Sequence, residues 1–244
     1  MIIFDYGHTL CYEPGWDSLR GEMALFKYIK NNKTNATPEQ VAEYSNCLFE
    51  KIDIARENGL EIHERQFRRF IYEYFGIELT ISFEQAEQIF WNAAAPGEIM
   101  PDADKILDYL NGKGIRSAVI SNIGWSGNAL HERLNRLLPN NRFEFVIASS
   151  EYVFRKPEPP LFELAIRKSG LTAADIWYCG DNPQADINGA AGVGIYPVWY
   201  DHPIDCYYRD KSKETMPLYE HFHIHKWDDL IEKLEDLEQK QERR

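Results

Sequence analysis

The first ten residues, Met1-Ile2-Ile3-Phe4-Asp5-Tyr6-Gly7-His8-Thr9-Leu10, decide how this chain is read. Residues 1–4 are a continuous apolar run that stops at a carboxylate, with a glycine two positions later. A short run that is apolar at every position predicts a strand buried on both faces, ending in a loop at Asp5. Such strands belong to parallel sheets covered by helices, so strand and helix should alternate along the rest of the chain.

The alternation appears only after an interruption. Residues 16–95 follow helical periodicity, with Thr37 as N-cap and Pro38 at the first helical position of one segment. Further helices are predicted near residues 63–75 and 83–91, and the block reads as a strand-free bundle. Its aromatic residues Phe49, Phe67, Phe70, Tyr74 and Trp91 stand at helical spacing and are expected in the core. Past Pro101 the pattern changes. Helices over 104–110, 127–137, 160–169 and 183–191 alternate with strands over 116–121, 143–148, 176–180 and 195–199. A last strand over 222–224 and a charged helix from Trp227 close the chain. The predicted fold class is therefore α/β, a parallel sheet with helices on both faces, formed by residues 1–14 and 97–244. An all-helical domain, residues 15–96, is inserted after the first strand.

Composition narrows the partners. With 244 residues and 44% hydrophobic content, the chain can bury a sizeable core. A net charge of −12 argues against nucleic acid or an anionic membrane as main partner, though not against a small anion held by a local cation. Cys11, Cys47, Cys179 and Cys206 show no CxxC spacing and read as reduced thiols, which suits the cytoplasm. No run approaches the roughly 20 apolar residues of a membrane span, and nothing at the start of the sequence marks export.

In an open parallel sheet, ligands bind outside the carboxyl ends of the strands. The polar residues that follow each predicted strand are few. Asp5, Gly7 and Thr9 follow the first; Ser121 and Asn122 the second; Arg155, Lys156 and Pro157 the third; Asp181 and Asp186 the fourth. Carboxylates, a hydroxyl and a lysine thus gather on one rim. Carboxylate oxygens at Asp5 and Asp181 suit magnesium. A cation and a lysine ammonium neutralise phosphoryl oxygens, and the Ser121 hydroxyl with backbone N–H groups at Ser121 and Asn122 can bind the rest. The second oxygen of Asp5 can then attack phosphorus. Lys156 and a bound metal are expected to keep Asp5 ionised.

Four ordered motifs, IIFDYGHTL, AVISN, FRKPEPPLF and YCGDNPQADINGA, resemble those of the haloacid dehalogenase-like hydrolase superfamily over most of the chain. The resemblance implies a Rossmann-like core with a helical cap, and a magnesium-dependent phosphatase acting on a small phosphorylated metabolite, a sugar phosphate or a nucleotide. It makes Asp5 the nucleophile and a metal ligand, Thr9 the hydroxyl-bearing position, Ser121 and Lys156 phosphate binders, Asp181 a metal carboxylate and Asp186 its support. Gly7 departs from the pattern. Most phosphatases of the family have there a second aspartate as general acid and base; only the backbone carbonyl offered to the metal survives. Losing a positioned proton donor costs roughly two to four powers of ten in rate. His8 is a candidate substitute donor, although a loop histidine directed away from the site is the simpler expectation. The alternatives are a metal-free 2-haloacid dehalogenase, which the retained Asp181 disfavours, and a non-catalytic protein that binds a phosphorylated ligand.

Other features have simpler readings. His221, His223 and His225 share one side of a strand by period two. They read as the polar face of an edge strand, because no cysteine or acidic ligand at usable spacing accompanies them as a zinc site would need. The charges of residues 232–244 read as a solvated helix face and a frayed tail.

Overall fold

The opening run forms β1 (Ile2–Phe4), buried at all three positions, in the computed structural model, which describes residues 1–207, 209 and 214–242. The chain then forms β2 (Cys11–Tyr12), α1 (Ser18–Phe26), β3 (Ile29–Asn32), α2 (Pro38–Glu57), α3 (Glu64–Phe75), β4 (Ile77–Leu79), α4 (Phe83–Ala94) and β5 (Glu98–Ile99). Next come α5 (Ala103–Gly112), β6 (Ser117–Ser121), α6 (Gly127–Leu137), β7 (Phe143–Ala148), α7 (Pro159–Ser169) and β8 (Trp177–Gly180). The last elements are α8 (Gly189–Gly192), β9 (Tyr196–Tyr200), β10 (Phe222–Ile224) and α9 (Trp227–Glu242).

Six strands form a parallel sheet in the order β10-β9-β8-β1-β6-β7. Side chains alternate across it. Ile2 and Phe4 join the cluster under α5, α6 and α9, while Ile3 joins the cluster with Leu161, Phe162 and Ala165 of α7. Helices therefore cover both faces, as predicted. β1 lies in the middle, with β6 on one side and β8 on the other, so successive crossovers run in opposite directions from it. That is the switch point at which an open sheet leaves a crevice at its carboxyl edge.

The inserted block departs from the expectation of an all-helical bundle. β3 pairs antiparallel with β4, tying the end of α1 to the end of α3. Gly76, left-handed at φ 64°, ends α3 and turns the chain directly into β4. The caps follow the sequence closely: Thr37 and Ser82 each form a complete capping box, with Gln40 and Gln85. Trp91 is buried and Phe67 half-buried as expected, but Phe49, Phe70 and Tyr74 are exposed. Their rings associate on the surface instead, Tyr74 stacking on Tyr44 at 4.5 Å.

Two features join the insert to the sheet. β2 and β5, the outgoing and returning chain, pair with each other as a short antiparallel stalk. Beside it the buried Arg133 of α6 lies 3.5 Å from the ring centroid of Trp91 and donates to Glu13 Oε1 at 2.9 Å. Trp91 stacks in turn on Trp125 of the core, 4.9 Å between centroids. None of the helices among the described residues is long and apolar enough to cross a membrane. Arg243 and Arg244, part of the expected tail, lie outside the described residues.

Candidate active site

The ladder between β1 and β8 continues one residue beyond β1, with Asp5 N donating to Cys179 O at 2.9 Å. Asp5 therefore leaves the sheet beside Gly180-Asp181, and both carboxylates are buried, 8% and 4% exposed. Asp186 reaches the same place by a different route. Asn182 caps a one-turn π-helix (Pro183–Asn188), accepting from the N–H groups of Gln184 and Ala185. The wider turn sends Asp186 back toward the strand, where its Oδ2 accepts from Asn182 N at 3.0 Å. An oxygen from each of Asp5, Asp181 and Asp186 lies within 4.8 Å of the others.

Lys156 sits at the centre of this group. Its Nζ donates to Asp5 Oδ1 at 2.8 Å and Asp186 Oδ1 at 2.6 Å, with Tyr178 Oη at 2.7 Å and Ile120 O at 3.2 Å. The lysine's loop is held by Asn122, whose amide pairs in both directions with the Lys156 backbone, at 2.7 and 2.8 Å. The Asn122 side chain is thus committed to the loop. Ser121 ends β6 and is buried, and so is Thr9, whose Oγ1 has no hydrogen-bond partner among the described residues.

Burial is the largest influence on Asp5. It raises the carboxyl from 3.8 to about 7, assisted by Asp186 and Asp181 and opposed by Lys156. Lys156 alone does not offset this: one ammonium is shared by several buried carboxylates, and the expectation of an ionised Asp5 rested on Lys156 together with a bound metal. Asp181 is desolvated too, but His202 and Arg209 against its Oδ2 more than compensate and hold it below the ordinary value. For Lys156, burial is likewise the largest influence and acts downward, yet Asp186 and Asp5 outweigh it and raise the ammonium.

His8 is not turned out to solvent. It is buried in a left-handed backbone conformation, φ 54°, and stacks on His202 at 5.2 Å, so it packs behind Asp181.

A family model described as haloacid dehalogenase-like hydrolase matches residues 1–194. The chain belongs to that family. It is 28% identical to a phosphoserine phosphatase of Thermus thermophilus across 63% of its own length, and it spans 59% of that relative. It is 22% identical to a pyrimidine 5′-nucleotidase of Streptococcus pneumoniae, across 96% of this chain and 94% of that one. The crystal structure of a HAD phosphatase from Thermococcus onnurineus superposes with a TM-score of 0.58 at 20% identity, covering 96% of each chain, a likeness of fold.

Within this haloacid dehalogenase-like frame, several contacts could not be read from the motifs, although residues of the motifs make them. Tyr178, in the strand before Asp181, touches both Lys156 and Asp186. Arg155, beside Lys156, pairs with the buried Glu61 of the insert, which also accepts from Ser149 Oγ at 2.9 Å. Leu60 bridges Phe154 next to this pair. The insert therefore touches the loop that carries the lysine.

Gly180 has a steric reason to be glycine. A Cβ there would stand 2.3 Å from Asp186 Cγ. Gly180→Ala should displace Asp186 from Lys156, costing about 1–3 kcal/mol of stability and roughly tenfold or more in turnover. Gly192→Ala, with nothing within 4 Å of its Cβ, is the control. Equal melting temperatures and rates for the two variants would refute this reading.

Proposed function

We propose that this chain is a magnesium-dependent phosphatase of a small soluble phosphomonoester, a sugar phosphate or a nucleotide, acting through an aspartyl-phosphate on Asp5. The observation that carries the reading is Lys156 held between Asp5 and Asp186, with Asp181 close by at the carboxyl edge of the sheet. The relatives named as phosphatases and nucleotidases support the same reaction class.

The residues fit magnesium: carboxylate oxygens from Asp5, Asp181 and Asp186 lie within 4.8 Å of one another. Asp5 and Asp181 would ligate the ion, and the Gly7 carbonyl is the further donor that the family pattern implies. When bound, the ion would neutralise phosphoryl oxygens and draw the Asp5 proton off. Lys156 holds Oδ1 of Asp5, so Oδ2 is the oxygen that attacks phosphorus as the ester P–O bond breaks. Lys156, the Ser121 hydroxyl, Thr9 and backbone N–H groups then stabilise the transferring oxygens. With glycine at position 7 the leaving oxygen takes its proton from water, and a second water hydrolyses the aspartyl-phosphate. The insert serves as the cap, reaching the site through Glu61 and Arg155. The thiols of Cys11 and Cys179 are buried and Cys47 is exposed, a pattern that suits the cytoplasm.

Phosphate release from a panel of sugar phosphates, nucleotides and aryl phosphates, with and without magnesium, tests the proposal. Ligand binding without metal-dependent turnover of any ester would replace it with the non-catalytic reading, which Gly7 favours. Chloride release from 2-haloacids without metal would replace it with a dehalogenase.

Gly7→Asp should raise turnover of alkyl phosphates by roughly tenfold or more, and of aryl phosphates less, because only the poor leaving group needs the proton. Equal gains on both would show that proton donation does not limit the rate.

Magnesium affinity should depend on pH through Asp5. The metal needs the carboxylate, whereas the metal-free native state holds the proton up to about 7. Below that value each unit of pH should weaken binding by close to tenfold for one displaced proton, with a plateau above it. Calorimetric titrations across this range check the slope; a flat profile would refute it.

A further inference from the structure

We infer that Asp201, His223 and His225 form a second cation site, selective for a transition-metal dication such as zinc, at the outer edge of the sheet. It is separate from the carboxylate site and does not depend on the phosphatase reading.

The sequence offers histidines on one side of β10 but no acidic residue at ligand spacing on the same strand face. The fold supplies one. β10 is the edge strand and pairs with β9 in parallel register, Trp199 opposite His223. The pairing continues past β9, with Asp201 N donating to Ile224 O at 2.9 Å. Asp201 is thereby held between His223 and His225.

Both imidazoles converge on the same oxygen. His223 Nε2 lies 3.4 Å and His225 Nδ1 3.8 Å from Asp201 Oδ2, and one donor atom from each residue lies within 4.8 Å of the others. Donor atoms around a tetrahedral zinc, with bonds of about 2.0–2.1 Å, stand roughly 3.3–3.4 Å apart. The site is therefore near ligating geometry and needs only small side-chain rotations.

The surroundings limit those rotations. His223 stacks on Trp199, 4.3 Å between centroids at 18°, which restrains its ring. His225 Nδ1 lies 3.0 Å from the Asp201 carbonyl, a hydrogen bond that this nitrogen gives up with its proton on ligation. The Asp229 carboxylate accepts from the backbone N–H groups of His225 and Lys226 at 3.0 and 3.2 Å. The backbone and the His223 ring are thus positioned in advance, which lowers the ordering cost of ligation. His221 is turned to the Tyr219 carbonyl at 2.8 Å and is not part of the set.

The donors also determine the metal. Two imidazoles and one carboxylate suit zinc, copper or nickel, whereas magnesium prefers oxygen alone. With three protein ligands, a fourth position stays open to water or to a ligand. The side chains are 37–69% exposed, so an ion reaches them from solvent.

Zinc titration by calorimetry, with millimolar magnesium present to occupy the carboxylate site, tests the inference. One zinc per chain is expected, with a dissociation constant in the micromolar range. Asp201→Asn should weaken it roughly tenfold or more, and the double variant His223→Gln/His225→Gln should abolish it. His221→Gln and Asp5→Asn should leave it within about twofold. Copper bound in place of zinc should show nitrogen hyperfine coupling that the double variant loses. Wild-type affinity in Asp201→Asn would mean that the pair is only a surface histidine clamp on a carboxylate. Loss of zinc in Asp5→Asn would place the ion in the carboxylate site. Either result overturns the inference.

Discussion

Asp5→Asn is expected to lower phosphate release by roughly four powers of ten or more, while the metal-free protein becomes as stable as the wild type or more stable at about pH 8. The first effect follows from the proposed roles of Asp5, since the variant would remove the nucleophile and a metal carboxylate together. The second follows from burial. Asp5 is raised from 3.8 to about 7, chiefly by desolvation and then by Asp186 and Asp181, against the pull of Lys156. Through that window the native state keeps a proton that the unfolded chain releases. Stability therefore falls as the pH rises, and the whole penalty, of the order of a few kcal/mol, is present above about pH 7. Asparagine removes the charge and leaves Lys156 paired with Asp186. Melting curves should nearly coincide at about pH 4 and diverge toward about pH 7. Magnesium should stabilise the wild type and not the variant. A variant that melts below the wild type at every pH would contradict this account, as would one keeping more than about a hundredth of the turnover.

Lys156→Met should destabilise the protein by about 3–5 kcal/mol, a fall of roughly 10 °C in melting temperature. Methionine fills a similar volume, so packing is little disturbed. What is lost is a cation 2.8 Å from Asp5 and 2.6 Å from Asp186, in a place where the lysine side chain is only 2% exposed. The remaining carboxylates must then share a buried site without it, and one of them takes up a proton. Turnover should fall by roughly a hundredfold or more, since the same ammonium orients Asp5 and, in the proposed reaction, would also neutralise the phosphoryl group. Added magnesium should recover part of the stability and little of the rate, because it supplies charge without the Oδ1 contact. Melting within a degree or two of wild type, or near-normal turnover, would show that the lysine is peripheral.

The order of the sheet elements was legible because each signal is local. Residues 1–4 are apolar without interruption, and Thr37-Pro38 and Ser82 announce their helices by capping. β3 was not legible. Its sequence, Ile-Lys-Asn-Asn, is half-exposed and polar, and only its distant partner β4 makes it a strand. Nor was the burial of the charged Glu22 on α1 legible, because its partner Arg68, 2.8 Å away, belongs to α3. Phe70 and Tyr74 failed in the opposite sense, being aromatic at core spacing yet 53% and 58% exposed.

By itself the sequence determined Asp5 at a strand exit, the positions of Lys156, Asp181 and Asp186 after later strands, and the missing side chain at Gly7. Periodicity, capping and the end of an apolar run are properties of neighbouring residues, so they survive without coordinates. Only the tertiary structure decided that Lys156 lies between Asp5 and Asp186, that Tyr178 and Arg155 belong to the same neighbourhood, and that Asp201 meets the histidines of β10. These depend on which segments the sheet order brings within a few ångströms. Charge and desolvation act across that short distance in space, without regard to separation along the chain.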